Sequence, residues 1–209
     1  MVDGSGSMHG APLRHALEAA LFFVKDLPMP AEGGKGRSDE TTGLSFNVVV
    51  FGSRHVSMWP ASRPYAGSQS EAVQWLHGNF HAYYGGTELL AALTTIYERA
   101  LLKAGRTRQI VLLTDGGVSG TEEQTIYDLL QGSRGSRAAK AAAARTTVFT
   151  LGIGPGVHRG LVEGMASRSG GVAQFVLGNE ALWAKASSGC PQRGQLKRGG
   201  ALDRLFWLR

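Results

Sequence analysis

The sequence has a single cysteine, Cys190, which excludes an intrachain disulfide framework. A lone thiol fits a reducing compartment, so the expected localisation is cytoplasmic. No apolar run approaches the roughly 20 residues of a membrane span, and no membrane partner is expected. The N-terminus carries Asp3 and a Gly/Ser run where a signal peptide would have its charged and apolar regions. Acidic residues are outnumbered by basic ones, 16 to 22, which leaves a net charge of +6. The excess gathers in two places, Arg134, Arg137, Lys140 and Arg145, then Arg193, Lys197, Arg198, Arg204 and Arg209. Neither cluster has the interleaved aromatics of a single-strand binder or a base-reading module. Both therefore read as solvated surface, with no nucleic-acid partner expected. A phosphate-binding loop of the G-x-x-x-x-G-K-[ST] type is missing as well.

What remains is an ordinary globular composition, 43% apolar and 18% charged over 209 residues. That length suits one domain and a tail. Apolar residues recur at helical spacing over 10–27, with Pro12 in a first-turn position and Pro28 as the stop. A polar, Gly/Pro-rich loop is expected over 28–43. A strand over 44–51 and a hairpin partner at 56–59 follow. Helices are expected over 71–80 and 88–103. Residues 109–114 are an unbroken apolar run, the pattern of a strand buried on both faces. Thr121 and Gln124 suggest a capping box opening a helix that breaks at 132–135, before an Ala-rich turn ending near Arg145. Another buried strand is expected at 147–153, a helix at 158–169, an edge strand at 173–177 and a last helix at 180–186. Strands alternating with helices predict a doubly wound, mostly parallel α/β sheet with helices on both faces.

In such sheets ligands sit beyond the carboxyl ends of the strands. The opening M-V-D-G-S-G-S-M puts Asp3, Ser5 and Ser7 at alternate positions with Gly4 and Gly6 between them. Alternating oxygen side chains on a tight loop can converge on a hard cation, and Mg²⁺ wants six oxygen ligands. Thr87 in G-G-T-E and Asp115 in L-L-T-D-G-G are the candidates to complete the shell. Each also has an ordinary reading. Ser5 or Thr87 would serve as a helix cap, and Asp115-Gly116 as a turn after a strand. His77 and His81 have helical spacing, but Gly78 weakens the helix and no third zinc ligand is evident.

D-G-S-G-S, G-G-T and L-L-T-D-G together resemble the metal-ion-dependent adhesion site (MIDAS) of a von Willebrand factor type A domain. F-N-V-V-V-F-G-S at 46–53, R-Q-I-V-L-L-T-D-G at 108–116 and F-T-L-G-I-G at 149–154 match the same family. P-A-S-x-x-Y at 60–65 and G-G-T-E-L-L at 85–90 resemble its intracellular, inter-alpha-trypsin-inhibitor-heavy-chain-like subgroup. The resemblance runs over roughly 1–185, so a domain at 1–186 and a basic, disordered or divergent tail at 187–209 are expected. It implies a Rossmann-like fold and a metal site of Asp3, Ser5, Ser7, Thr87 and Asp115 holding Mg²⁺ (or Mn²⁺). Ser5, Ser7 and Thr87 would be direct ligands, with Asp3 and Asp115 acting mainly through water or hydrogen bonds. It further implies a non-enzymatic protein-interaction module whose partner supplies a Glu or Asp to the metal. The alternatives are a metal-assisted phosphoester hydrolase and a vestigial scaffold without metal.

In the family the strand leading into D-x-S-x-S is central and apolar, whereas here it is Met1 and Val2 alone. The first central strand is therefore truncated. The expectation is a marginally folded chain, a fragment of a longer protein whose upstream residues end in an apolar strand.

Overall fold

The computed structural model describes residues 1–25, 44–65, 67–80, 85–99, 106–118 and 120–177. The chain opens on β1, Val2–Asp3, then a 3-10 turn at Gly6–Met8 and helix α1, Ala11–Lys25. Four short strands follow: β2 (Ser45–Phe46), β3 (Val49–Phe51), β4 (His55–Ser57) and β5 (Arg63–Pro64). Helices α2 (Gln69–Asn79) and α3 (Leu89–Glu98) lead to strand β6, Arg108–Thr114. Helices α4 (Gly120–Leu130) and α5 (Arg137–Ala143) precede β7, Thr146–Ile153. Helix α6, Arg159–Arg168, and strand β8, Ala173–Val176, complete the described fold.

Six strands form one sheet in the order β4-β3-β1-β6-β7-β8. Every pairing is parallel except β3 with β4. The alternation along β6 explains why helices cover both faces. Ile110 and Leu112 join Phe51 and Val148 in a core under α3, α4, α5 and α6. Leu113 joins Val2, Val50 and Ile153 in a second core under α1 and α2. A strand with both faces buried carries no polar alternation, which is how 109–114 reads. The doubly wound α/β fold stands, with a two-residue β1 at the centre of the sheet.

The strand expected over 44–51 is in fact two. Asn47 interrupts it, its Oδ1 accepting from the Val48 and Trp59 amides and its Nδ2 donating to the Trp59 carbonyl. A side-chain amide standing in for a ladder rung lets β2 leave the main sheet. β2 pairs antiparallel with β5, and Phe46 sets its ring edge-on to Trp59 and Tyr65.

Helix α3 ends at Glu98, because Arg99 turns to an extended ψ of 128°, short of the expected end at Lys103; residues 100–103 lie outside the described residues. The stop comes from elsewhere in the chain. The Arg108 guanidinium donates to the carbonyls of Ile96 at 2.6 Å and Arg99 at 2.8 Å. A planar cation at a helix C-terminus satisfies orphan carbonyls and complements the helix dipole. Arg108→Ala is therefore expected to cost about 2 kcal/mol, the range for hydrogen bonds to charged groups. Arg108→Lys should recover less than half of that, since one ammonium cannot span both carbonyls. Urea unfolding of the two variants checks this, and an unchanged midpoint for Arg108→Ala would refute the capping role.

α4 starts at Gly120, one residue before the expected cap Thr121, and the Gln124 amide donates to Asp128. Ser136 does cap α5, accepting from the Ala139 amide. β8 is an edge strand, as expected. The loop 28–43, the helix at 180–186 and the tail 187–209 lie outside the described residues.

Candidate functional site

β1 and β6 run parallel with Val2 opposite Leu113, so their carboxyl ends place Asp3 beside Thr114. The Thr114 hydroxyl donates to Asp3 Oδ2 at 2.5 Å, and the Ser5 amide donates to Asp3 Oδ1 at 2.9 Å. Asp3 has no exposed surface. Burial pushes its carboxyl above the usual carboxylate range, against the lowering effect of the Ser5 and Thr114 hydrogen bonds. The neighbouring charge of Asp115 pushes it the same way as burial. A cation placed nearby would reverse that balance and favour the ionised form.

From Asp3 the chain enters the 3-10 turn. Ser5 precedes it but its side chain caps nothing. Instead the Ser5 and Ser7 hydroxyl oxygens approach to 3.1 Å. The ordinary reading of Ser5 as a cap thus fails, and two hydroxyls converge beside the buried carboxylate.

The loop carrying Thr87 is held to this turn by backbone. The Gly6 amide donates to the Gly85 carbonyl at 2.8 Å, and the Glu88 amide donates to the Gly52 carbonyl at 2.8 Å. Between them, the Gly86 amide donates to Ser53 Oγ at 2.7 Å. Gly85 has φ +73°, and a Cβ there would stand 2.6 Å from Ser53 Oγ, so only glycine fits this clamp. Thr87 does not cap α3: that position belongs to Glu88, which makes no side-chain capping bond.

Asp115 follows β6 directly. Its Oδ1 accepts from the Gly117 amide at 3.0 Å, and its carbonyl accepts from the His158 amide at 2.8 Å. The turn reading is therefore right as far as it goes, and it orients the carboxylate. Gly117 marks the junction of two loops, since a Cβ there would lie 3.2 Å from Asp115 Oδ1 and 3.8 Å from Ser7 Oγ.

The structure thus gathers Asp3, Ser5, Ser7 and Asp115 at one edge of the sheet, with the Thr87 loop clamped against them. The donor set is all oxygen, which suits a hard divalent cation. Among the described residues, no three His, Cys, Asp or Glu side chains form a metal-binding group. A metal here would have to rest on hydroxyls, which is the chemistry these loops present. His77 is exposed on α2, and His81 lies outside the described residues.

Two residues that sequence reasoning missed hold the site together. Thr114 links the two acidic loops, since its hydroxyl also accepts from the Gly116 amide at 2.9 Å. Ser53 positions the Thr87 loop. Thr114 was legible as a hydroxyl one residue before Asp115, whereas nothing local marks Ser53.

A family model for the von Willebrand factor type A domain matches residues 1–175. This chain belongs to that family. The domain is 31% identical over 196 residues to von Willebrand factor A domain-containing protein 5A of Rattus norvegicus, covering 89% of this chain and 21% of that protein. It is 29% identical over 185 residues to the 5B1 protein of Homo sapiens, covering 88% of this chain and 13% of that protein. The von Willebrand factor A domain described here therefore spans about a fifth or less of the length of these relatives. Among solved structures it resembles the conserved hypothetical protein BatB from Bacteroides thetaiotaomicron, with a TM-score of 0.61 and 16% identity over 90% of this chain and 93% of that one. A von Willebrand factor type A protein from Catenulispora acidiphila gives a TM-score of 0.57 at 20% identity, over 85% of this chain and 37% of that one. At these identities the structures speak to fold alone. No helix among the described residues is long and apolar enough to cross a membrane.

Proposed function

We propose that this domain is a metal-dependent protein-binding module, not an enzyme, built on the metal-ion-dependent adhesion site pattern of its family. Ser5, Ser7 and Thr87 would hold Mg²⁺ (or Mn²⁺) directly, with Asp3 and Asp115 acting through water or hydrogen bonds. The cation would supply a Lewis-acidic position that a Glu or Asp of a protein partner can complete, a charge-assisted and directional contact. The observation that carries this reading is the convergence of the Ser5 and Ser7 hydroxyls at 3.1 Å, neither spent on a helix cap, beside the buried carboxylate of Asp3.

The protein's own residues do the positioning. Asp3 fixes the first loop by accepting the Ser5 amide, and Thr114 ties it to the second acidic loop. Asp115 is held by its own turn and by the His158 amide. Cytoplasmic placement and the inter-alpha-trypsin-inhibitor-like subgroup belong to the same proposal, supported by the lone Cys190 and the text at 60–65 and 85–90.

A ligand that binds only the folded state stabilises it, by about 2.7 kcal/mol at one hundred times its Kd. For a domain of this size that is a rise in Tm of roughly 5–11 °C. Millimolar Mg²⁺ should produce such a rise in the wild type and none in Asp115→Ala. An unmoved wild-type Tm would favour the vestigial scaffold, and turnover of a generic phosphoester would favour the hydrolase.

A further inference from the structure

Three basic residues meet at the opposite edge of the sheet from the metal-site loops, around a cavity of about 430 Å³. Lys140 comes from α5, Arg145 from the turn before β7, and Arg168 from the end of α6. Thr107, Thr147 and Gln131 add hydrogen-bonding groups to the wall, and no acidic side chain lines it. Among the described residues none of these three cations is in a salt bridge, although the Glu123 carboxylate lies on the hydroxyl of Tyr127, the ring that the Arg168 guanidinium covers. The Arg168 guanidinium is held beside the wall, 3.7 Å from the Tyr127 ring centre and donating to the Gly164 carbonyl at 3.4 Å, neither of which lines the cavity. The cavity opens at the starts of β6 and β7, since Thr107 precedes Arg108 and Thr146 begins β7. At about 3.3 Å per residue, the length of β6 sets it roughly 20 Å from Asp115.

Read as sequence, Arg134, Arg137, Lys140 and Arg145 look like solvated surface. Folding divides them: Lys140 and Arg145 join Arg168 in the cavity wall, while Arg134 and Arg137 are not part of that wall. Like charges held around a concavity repel one another and focus potential into it. The cavity is also within the size range of small-molecule sites.

We propose that this cavity binds the phosphate groups of a small phosphorylated molecule, a site separate from the metal-site loops. Guanidinium and ammonium groups with hydroxyl donors are the chemistry that recognises phosphate oxygens. Inorganic pyrophosphate is the probe, titrated calorimetrically into the 209-residue chain in EDTA, so that a metal at the other edge takes no part. Binding with a submillimolar Kd is expected, weakened at least tenfold in Lys140→Gln/Arg145→Gln and unchanged in Asp115→Ala. Arg134→Gln/Arg137→Gln removes the same charge outside the wall and should weaken binding less than threefold. Because Lys140 is exposed and Arg145 half-buried, the cavity variant should keep the wild-type circular dichroism spectrum. If it does not, Lys140→Gln alone, expected to weaken binding at least threefold, takes its place. Absence of binding at 10 mM probe, or equal weakening by both charge-matched pairs, would overturn the proposal. Equal heats from sulfate at matched ionic strength would also overturn it, in favour of non-specific anion attraction.

Discussion

A four-residue Val/Ile extension placed before Met1 is expected to stabilise this chain by about 3–9 kcal/mol, from two or three newly buried side chains at roughly 1.5–3 kcal/mol each. β1 pairs with β3 and β6, Val2 lying opposite Val50 on one side and Leu113 on the other. Carried backward in parallel register, Met1 falls beside Leu112, and the extension would run beside residues 108–111 of β6. Ile110 lies in one core and Val111 against the other, so side chains added beside them would meet apolar neighbours, whereas Arg108 is half-buried and Gln109 exposed. New backbone rungs would also pair with β6.

The same place carries a pH signature. The Met1 ammonium donates to the Val111 carbonyl at 2.7 Å, and burial pushes it from the usual 8.0 down to about 5. Between those values the unfolded chain holds a proton that the folded chain does not. Stability from this group is therefore fully present above about pH 8 and declines as pH falls toward 5, by about 4 kcal/mol at 1.36 kcal/mol per unit. An extension turns the amine into a neutral amide and should remove that slope. Thermal melts at pH 5.5 and 8 on both chains check the two effects together. Equal Tm values for the chains at both pH values would refute the argument.

Thr87→Ala is expected to abolish Mg²⁺-dependent capture of an acidic partner, more than a hundredfold in affinity, while changing stability by under about 1 kcal/mol. The size follows from losing a ligand that positions a charge-assisted contact. The small stability change follows from the structure: Thr87 is only half-buried and does not cap α3, and its loop is clamped through Gly85, Gly86 and Glu88 backbone atoms. A peptide library with and without Glu or Asp, probed in Mg²⁺ and in EDTA, measures it. Loss of fold together with binding would return Thr87 to a structural role. Capture that persists in EDTA would remove the metal from the mechanism.

Much of this molecule is legible in the text because its determinants are local. Within 109–114 the four apolar residues 110–113 read as a strand buried on both faces because nothing polar interrupts them, and only Gln109 at its start is exposed. The break at 132–135 before an Ala-rich turn is legible as well, and α5, Arg137–Ala143, forms there. Asp3, Ser5, Ser7 and Asp115 could be picked out because strand ends in a parallel sheet share one edge. The errors have a common cause. Asn47 sits inside a run with strong strand character, yet its amide finds the backbone of Trp59, twelve residues on, and ends the strand. α3 has no local stop at Glu98, and the residue that satisfies its last carbonyls, Arg108, belongs to the next strand.

The sequence by itself determined the periodicity of the elements, their alternation, and therefore a doubly wound sheet with an oxygen-rich set of loops at one edge. Those properties depend on near neighbours along the chain, where side-chain period and turn chemistry act. The tertiary structure decided which groups meet. It buried Asp3 against Thr114, clamped Gly85 to Gly6 and Ser53, and drew Lys140 and Arg145 to Arg168 while leaving Arg134 and Arg137 outside the cavity wall. Each of these contacts joins residues separated along the chain, so its geometry and its electrostatics exist only once the sheet has brought the strands into register.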